Sequence, residues 1–156
     1  MIVSDATILI TLINIDEWRV LRLFTERLII PPEVYQEVTQ NPNAQSYLDR
    51  EISEGFICIE KYKSELIFRE LSYILGAGES ASMTLAIEKA LPLIIDEKKG
   101  RSIARKQGIE IIGLVGILRF LYIENRLNRE ELVDIIEKLN HSDFRISAVL
   151  LDMILA

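Results

Sequence analysis

The sequence predicts an α/β fold with a central, mostly parallel sheet that is covered by helices on both faces. Short runs of Ile, Leu and Val alternate along the chain with longer segments whose apolar residues recur with the period of a helix. The short runs are apolar at nearly every position, as expected for parallel strands that are buried on both faces.

Five apolar runs predict the strands, and turn residues separate several of them from the helices. Pro31 and Pro32 close the second run, and Gly55 stands before the third. The predicted strands are residues 1–4, 28–30, 56–59, 93–95 and 110–112.

The longer segments predict helices, some of which carry recognisable end signals. Proline in the first turn suits the helix at residue 33, Gly108 suits a C-terminal cap, and Ser147 suits an N-terminal cap. The predicted helices are residues 8–14, 18–24, 33–40, 47–53, 65–75, 79–89, 98–107, 115–125, 129–139 and 147–155.

Length and composition favour one domain over residues 1–156, with a helical C-terminal portion from about residue 115. Hydrophobic residues make up 49% and charged residues 27%, a balance typical of globular chains. The net charge of −6 argues against a simple basic nucleic-acid-binding protein. A nucleic-acid enzyme stays possible, because clustered carboxylates that hold metal ions also lower the net charge.

Membrane and export signals are not found in the sequence. No apolar stretch reaches the roughly 18 residues of a membrane span, and the N-terminus has no basic region of the kind that begins a signal peptide. Cys58 is the only cysteine, so that no intrachain disulfide can form. A reducing, cytoplasmic location is therefore expected.

Acidic residues follow two of the predicted strands directly. Asp5 follows the first strand and Asp96 the fourth, so both lie at strand C-termini, where ligands bind in open α/β sheets. Glu37 lies in the helix after the second strand, and Glu79 opens the helix after GAG. We expect these four acids to meet at one rim of the sheet.

Four carboxylates at one rim would repel one another and raise their pKa values. A divalent cation would relieve the repulsion, and hard oxygen ligands suit Mg²⁺ or Mn²⁺. The chain has one histidine and one cysteine, which argues against a zinc site.

Each acid also has a purely structural interpretation. Asp5 and Asp96 could each cap the helix that follows. Glu37 could be a solvated helix residue, and Glu79 could be a first-turn acid that the helix dipole favours. Taken singly, each acid fits this simpler interpretation, and it is their common position at one rim that favours a metal site.

Several stretches resemble the PIN-domain family, and specifically a small prokaryotic branch related to the VapC-type toxin ribonucleases. They are IVSDATILITL, IIPPEVYQEV, GAGESASMTLA, LIIDEKKGRSIARKQGI with the IIGLVGIL segment that follows, and FRISAVLLDMIL. Each motif is short, but their order and spacing extend through nearly the whole chain. The resemblance implies a three-layer α/β/α fold and an acidic metal site that cuts RNA, leaving a 5′-phosphate and a 3′-hydroxyl.

The resemblance also implies roles for individual residues. The implied metal-binding and catalytic acids are Asp5, Glu37, Glu79 and Asp96, and Thr7 is the implied supporting polar residue. Lys98, Lys99 and Arg101 follow the last acid and are candidates for RNA contacts. Lys98 and Lys99 lie near a helix N-terminus, where cations are disfavoured, which slightly favours a ligand role.

The sequence departs from the family pattern beside the acids. Ala6 stands where a hydroxyl residue is expected and Ala77 where an acid is usual. Glu97 follows Asp96 in place of a second aspartate. None of these departures removes one of the four acids, so a competent site is expected.

The predicted function is a Mg²⁺- or Mn²⁺-dependent ribonuclease, the toxin of a toxin–antitoxin pair, with a small antitoxin protein as partner and a homodimer as its assembly. Trp18, Leu21 and Phe24 could form part of a dimer surface or belong to the core. One alternative is a degenerate PIN fold that binds RNA or protein without cutting. Another is a nucleotide-binding α/β module.

The nucleotide-binding alternative depends on GAGESA, residues 76–81, which fits the dinucleotide fingerprint G-x-G-x-x-[GA]. The fingerprint needs a strand directly before its first glycine, so that a helix N-terminus faces a pyrophosphate. The preceding SELIFRELSYIL instead predicts a helix, and Glu79 would put a negative charge near that pyrophosphate. Both observations count against this alternative.

Overall fold

The computed structural model describes residues 1–142 and 144–156, and its strands form a five-stranded sheet. The strands are β1 (Ile2–Ser4), β2 (Leu28–Ile30), β3 (Ile57–Ile59), β4 (Leu93–Ile94) and β5 (Ile111–Ile112). Neighbouring strands pair in parallel in the order β3-β2-β1-β4-β5. The predicted parallel sheet is therefore confirmed.

Helices cover both faces of the sheet, which confirms the three-layer α/β/α fold. They are α1 (Ala6–Asn14), α2 (Arg19–Phe24), α3 (Pro32–Val38), α4 (Pro42–Ser53), α5 (Glu65–Ser72), α6 (Ala77–Lys89), α7 (Lys98–Lys106), α8 (Leu114–Ile123), α9 (Arg129–Asn140) and α10 (Ala148–Leu155). None of the helices in the described ranges is long and apolar enough to cross a bilayer.

The sheet divides the apolar core in two, because successive strand residues point to opposite faces. Ile2 and Ile94 belong to the larger core, which includes residues of α1–α4 and α8–α10. Val3 and Leu93 belong to the smaller core, which includes residues of α5, α6 and α7. Because each of these strands contributes side chains to both cores, it must be apolar on both faces. This explains why the strand sequences are continuous apolar runs.

The strand order creates a topological switch point between β1 and β4. β2 and β3 lie on one side of β1, whereas β4 and β5 lie on the other. Connections leave the C-terminal ends of β1 and β4 in opposite directions, and such a point is where open α/β sheets form a ligand crevice. Ser4 pairs with Ile94, so the residues that follow these two strands are close neighbours.

Five helices begin earlier than the sequence predicts, among them α4 and α6. α4 begins at Pro42, because the Asn41 side chain accepts a hydrogen bond from the N–H of Asn43 and proline suits the first turn. α6 begins at Ala77, because Gly76 is its N-cap and has extended backbone geometry. These starts depend on cap geometry rather than on apolar periodicity.

Side chains of α2 and its N-cap belong to the core. Trp18 is 4% exposed and Leu21 is fully buried, while Phe24 packs against the same cluster. Trp18 and Leu21 therefore serve the core of one chain and do not form a dimer surface.

Candidate functional site

Asp5 lies at the switch point, directly after β1. It is 1% exposed, and its backbone N–H donates to the carbonyl of Ile94 at 3.1 Å. Asp5 holds the N-cap position of α1, yet its carboxylate makes no capping hydrogen bond within the described chain. The structure therefore does not support the interpretation of Asp5 as a helix cap.

Asp96 lies in the turn between β4 and α7 and is held by two neighbours. Its carboxylate oxygens accept a hydrogen bond from the N–H of Leu114 at 3.1 and 3.3 Å. Nη1 of Arg101 lies 3.8 Å from Oδ1 of Asp96 and also donates to the carbonyl of Ile95. Asp96 thus contacts the first residue of α8, so it does not serve as the cap of α7 that the structural interpretation proposes.

Glu97, rather than Asp96, caps α7. Its carboxylate accepts a hydrogen bond from the N–H of Gly100 at 2.7 Å. A Cβ atom at Gly100 would lie 2.9 Å from Oε2 of Glu79 and 3.4 Å from Oε2 of Glu97. Both carboxyl groups therefore press against the same bare backbone position. Burial raises the pKa of Glu79, and the neighbouring Glu97 adds to this rise. The hydrogen bond from the N–H of Gly100 lowers the pKa of Glu97, and a proton shared with Glu79 acts in the same direction.

Two more glycines make room for the remaining acids. A Cβ atom at Gly78 would lie 3.3 Å from Oε1 of Glu37, which places that carboxylate against the first turn of α6. A Cβ atom at Gly113 would collide with Oδ1 of Asp96. The rim therefore packs acidic side chains against bare backbone, where any larger residue would displace them.

The four predicted acids lie close enough together that the charges of three of them raise the pKa of the fourth, Asp5. Burial raises the pKa of Asp5 to about 8, and repulsion from the three other acids adds to this effect. Burial raises the pKa of Glu79 as well, and the neighbouring Glu97 and Glu37 increase that shift. Burial also raises the pKa of Asp96, against the two favourable contacts that hold its carboxylate.

The donor atoms of the rim fit a divalent cation. Within residues 1–142 and 144–156, neither Oδ1 of Asp5 nor Oε2 of Glu79 receives a hydrogen bond, although both atoms are buried. Such oxygens are costly to leave without a partner, and a hard cation would satisfy them. Across these same ranges no three carboxylate, imidazole or thiol groups stand close enough to enclose an ion alone. The arrangement suits Mg²⁺, which keeps several water ligands and binds through few carboxylates.

Three residues at the rim are not predicted by the sequence patterns: Glu97, Gly100 and Gly113. Gly100 lies inside the first turn of α7, where glycine is unfavourable. A glycine inside a predicted helix is therefore the sequence signal that could have identified this position. Gly113 directly follows β5, so its position at a strand end was a second signal. Nothing in the sequence pairs Glu97 with Glu79, because the contact exists only in the folded chain.

The supporting and basic candidates differ in their surroundings. Thr7 is exposed in the first turn of α1, and its backbone N–H lowers the pKa of Asp5 without forming a capping hydrogen bond of normal geometry. Lys98 and Lys99 are exposed at the start of α7. Arg101 is half-buried, because its guanidinium turns toward Asp96.

The GAGESA turn does not have the context of a dinucleotide site. Helix α5 precedes it, whereas the fingerprint requires a strand in that position. Glu79 opens α6 at the acidic rim, where it would repel a pyrophosphate. The structure therefore argues against the nucleotide-binding alternative.

The metal-free protein should lose stability as the pH rises from about 4 to 8. Folded Asp5, with its pKa raised to about 8, keeps a proton that the unfolded chain releases near its ordinary pKa of about 3.9. Stability from this group is therefore fully present below about pH 4 and declines toward pH 8, and the raised pKa values of Glu79 and Asp96 act in the same direction. Thermal melts in EDTA at several pH values measure it. Asp5→Asn should flatten the profile, and an unchanged profile in that variant would contradict the assignment.

Comparison with known proteins identifies a family. The family model DUF3368, described as a PIN domain, matches residues 1–156. No curated protein matches the sequence significantly. The match therefore covers every element that contributes to the acidic rim.

Proposed function

The chain belongs to the PIN-domain family, whose members are generally nucleases, and from this we propose that it is a divalent-metal-dependent endoribonuclease. Its domain would span residues 1–156, and its cofactor would be Mg²⁺ or Mn²⁺. We further propose that it is the toxin of a toxin–antitoxin pair related to the VapC type. In this role it would act as a homodimer, and a small antitoxin protein would block the acidic rim.

One observation carries the nuclease proposal: Asp5 is buried at the switch point with an oxygen that lacks a hydrogen-bond donor among the described residues. The three other acids of the rim add to the rise in the pKa of Asp5 that burial causes, so they do not stabilise its charged carboxylate. A buried, crowded carboxylate destabilises the metal-free fold, so a purely structural role does not explain it. A bound cation would turn the same arrangement into a favourable one.

The residues of the rim would have distinct tasks. Asp5 would be a direct ligand of the cation, Glu79 and Asp96 would bind it directly or through water molecules, and Glu37 would hold a water or a second ion. Water ligands are needed because no three acids of the described residues stand close enough to enclose the ion alone. The ion, when bound, lowers the pKa of a water ligand and neutralises charge on the attacked phosphate. Leu114 would orient the Asp96 carboxylate through its N–H group.

The chemical step is hydrolysis of one phosphodiester bond. An oxygen atom of water forms a bond to phosphorus while the bond from phosphorus to O3′ breaks. One proton from the water passes to the leaving O3′ atom, giving a 5′-phosphate and a free 3′-hydroxyl.

Cleavage of a defined panel of RNAs in the presence of Mn²⁺ tests the proposal. We expect internal cuts in Mn²⁺, none in EDTA, and fragments that carry 5′-phosphates. A degenerate PIN fold would bind RNA or protein without cutting it and would show no carboxylate-dependent affinity for Mn²⁺. Failure to cut any RNA, together with identical melting in Mn²⁺ and EDTA, would favour that alternative.

A further inference from the structure

Arg101 brings a positive charge into the acidic rim. Its Nη1 atom donates a hydrogen bond to the carbonyl of Ile95 at 3.2 Å, just beyond the end of β4. This bond holds the guanidinium 3.8 Å from Oδ1 of Asp96. The side chain of Arg101 is 28% exposed and that of Asp96 is 16% exposed. Solvent therefore screens the attraction between these two charges only in part.

The position of Arg101 has no local explanation in α7. It stands in the first turn of that helix, where the helix dipole disfavours a cation. A Cβ atom at Gly113 would collide both with Nη1 of Arg101 and with Oδ1 of Asp96. The arginine and the aspartate thus meet in space that only a glycine leaves open, and this contact across the fold explains the arginine where the helix does not.

Arg101 acts on Asp96 through its charge rather than through a hydrogen bond. A separation of 3.8 Å is too long for a hydrogen bond, and the N–H of Leu114 orients the Asp96 carboxylate instead. Among the salt bridges that residues 1–142 and 144–156 form, Asp96 is the only one of the four rim acids to have a cationic partner. Arg101 therefore offsets part of the negative charge of the metal-free rim.

The same charge has a different effect once a divalent ion is bound. The ion cancels two negative charges of the rim and also repels the guanidinium. Arg101 thus favours the metal-free rim over the metal-bound rim, and by reciprocity it must lower the affinity for the metal. We propose that Arg101 is a built-in counter-cation of Asp96, with which a divalent ion must compete, so that Arg101 sets the metal affinity of the rim. This inference rests on the proposed metal-dependent function.

A purely positioning role for Arg101 predicts the opposite result. If the guanidinium served only to orient Asp96, its removal would misplace a metal-binding group and weaken metal binding. Removal of a counter-cation should instead tighten metal binding. Arg101→Lys separates charge from shape, because lysine keeps the positive charge but lacks the planar fork of arginine.

Arg101→Gln should bind Mn²⁺ at least about fivefold more tightly than the wild type, which is the lower end of the coupling expected between two interacting sites. Isothermal titration calorimetry with Mn²⁺ alone, at neutral pH, measures the affinity without any RNA. Arg101→Lys should bind Mn²⁺ about as the wild type does. Arg105→Gln is the matched control, because it removes one positive charge from an exposed position one turn further along α7, and its affinity should not change.

Melting in EDTA tests the counter-cation without any metal. Arg101→Gln should lower the melting temperature by roughly 2–4 °C, because Asp96 loses its cationic partner. The same change in an Asp96→Asn background should lower it less, since the ion pair is already absent there. Circular dichroism checks that each variant keeps its fold. An equal loss in the two backgrounds would overturn the pairing.

The role of Arg101 and the metal site fail on different results. Equal or weaker Mn²⁺ affinity in Arg101→Gln, with clear binding by the wild type, would overturn the role of Arg101 and leave the metal site intact. An Arg101→Lys protein that binds Mn²⁺ as tightly as Arg101→Gln would also overturn it, because the positive charge would then not be responsible. No Mn²⁺ binding by any of these proteins, together with no RNA cleavage, would refute the metal-dependent nuclease and the counter-cation with it.

Discussion

Asp5→Asn should lower Mn²⁺-dependent RNA cleavage by at least about 100-fold while the fold survives. Asn keeps the shape of the side chain and removes the charge that would hold the cation. Loss of an outer-shell partner of a metal already costs about 10–100-fold, so loss of a direct ligand should cost more. The melting temperature without metal should stay or rise, because burial, which raises the pKa of Asp5 to about 8, makes the charged form of this side chain unfavourable.

The capping interpretation predicts a different outcome for the same variant. Asn is itself a good N-cap, so a capping Asp5 could be replaced with little effect on stability or on chemistry. Asp152→Asn, at an exposed position of α10, is the matched control and should cut RNA as the wild type does. The measurement is RNA cleavage in Mn²⁺ with circular dichroism of each variant. Equal cutting by the wild type and Asp5→Asn would remove Asp5 from the catalytic site.

Mn²⁺ should stabilise the folded protein by about 2.7 kcal/mol at a hundredfold excess over Kd, because the ion binds only the folded rim. Asp96→Asn should reduce this gain, since it removes one of the charges that share the ion. The variant should keep about the same stability without metal, because Asn can still accept the hydrogen bond from Leu114, and the loss of repulsion toward Asp5 offsets the loss of the ion pair with Arg101. Thermal melts with and without Mn²⁺ measure both effects. An identical metal response in the wild type and Asp96→Asn would refute a shared site.

A pair of glycine variants tests the same site without removing any charge. Gly113→Ala would push a methyl group into Oδ1 of Asp96 and into Nη1 of Arg101, which pairs with that carboxylate, and should therefore weaken the response to Mn²⁺. Gly116→Ala is the matched control, because its methyl group would meet only the side chain of Ile112, at 2.9 Å. Overpacking costs about 1–3 kcal/mol in either variant. Only Gly113→Ala should also lose stabilisation by Mn²⁺. If both variants lose the same amount of this stabilisation, Asp96 does not belong to the metal site.

Strands and most helices could be predicted from the sequence because their signals are local. The strand at Leu28–Ile30 has the predicted bounds, since a continuous apolar run with prolines after it allows few other structures. Asp5 and Asp96 could be predicted as rim residues for a similar reason, because each directly follows a strand. The start of α4 at Pro42 could not be predicted from periodicity, since its first turn depends on the Asn41 cap.

The sequence by itself determined the layered α/β architecture and the identity of the acids that follow its strands. Apolar periodicity and strand-end position act over a few residues, so they can be read without the fold. Only the tertiary structure decided that Asp96 contacts Leu114, that Glu97 meets Glu79, and that Gly100 and Gly113 provide the space for these carboxylates. These contacts join residues from different strands and helices. Their physical cause is the strand order, which brings β1 and β4 together and closes the rim around their C-terminal ends.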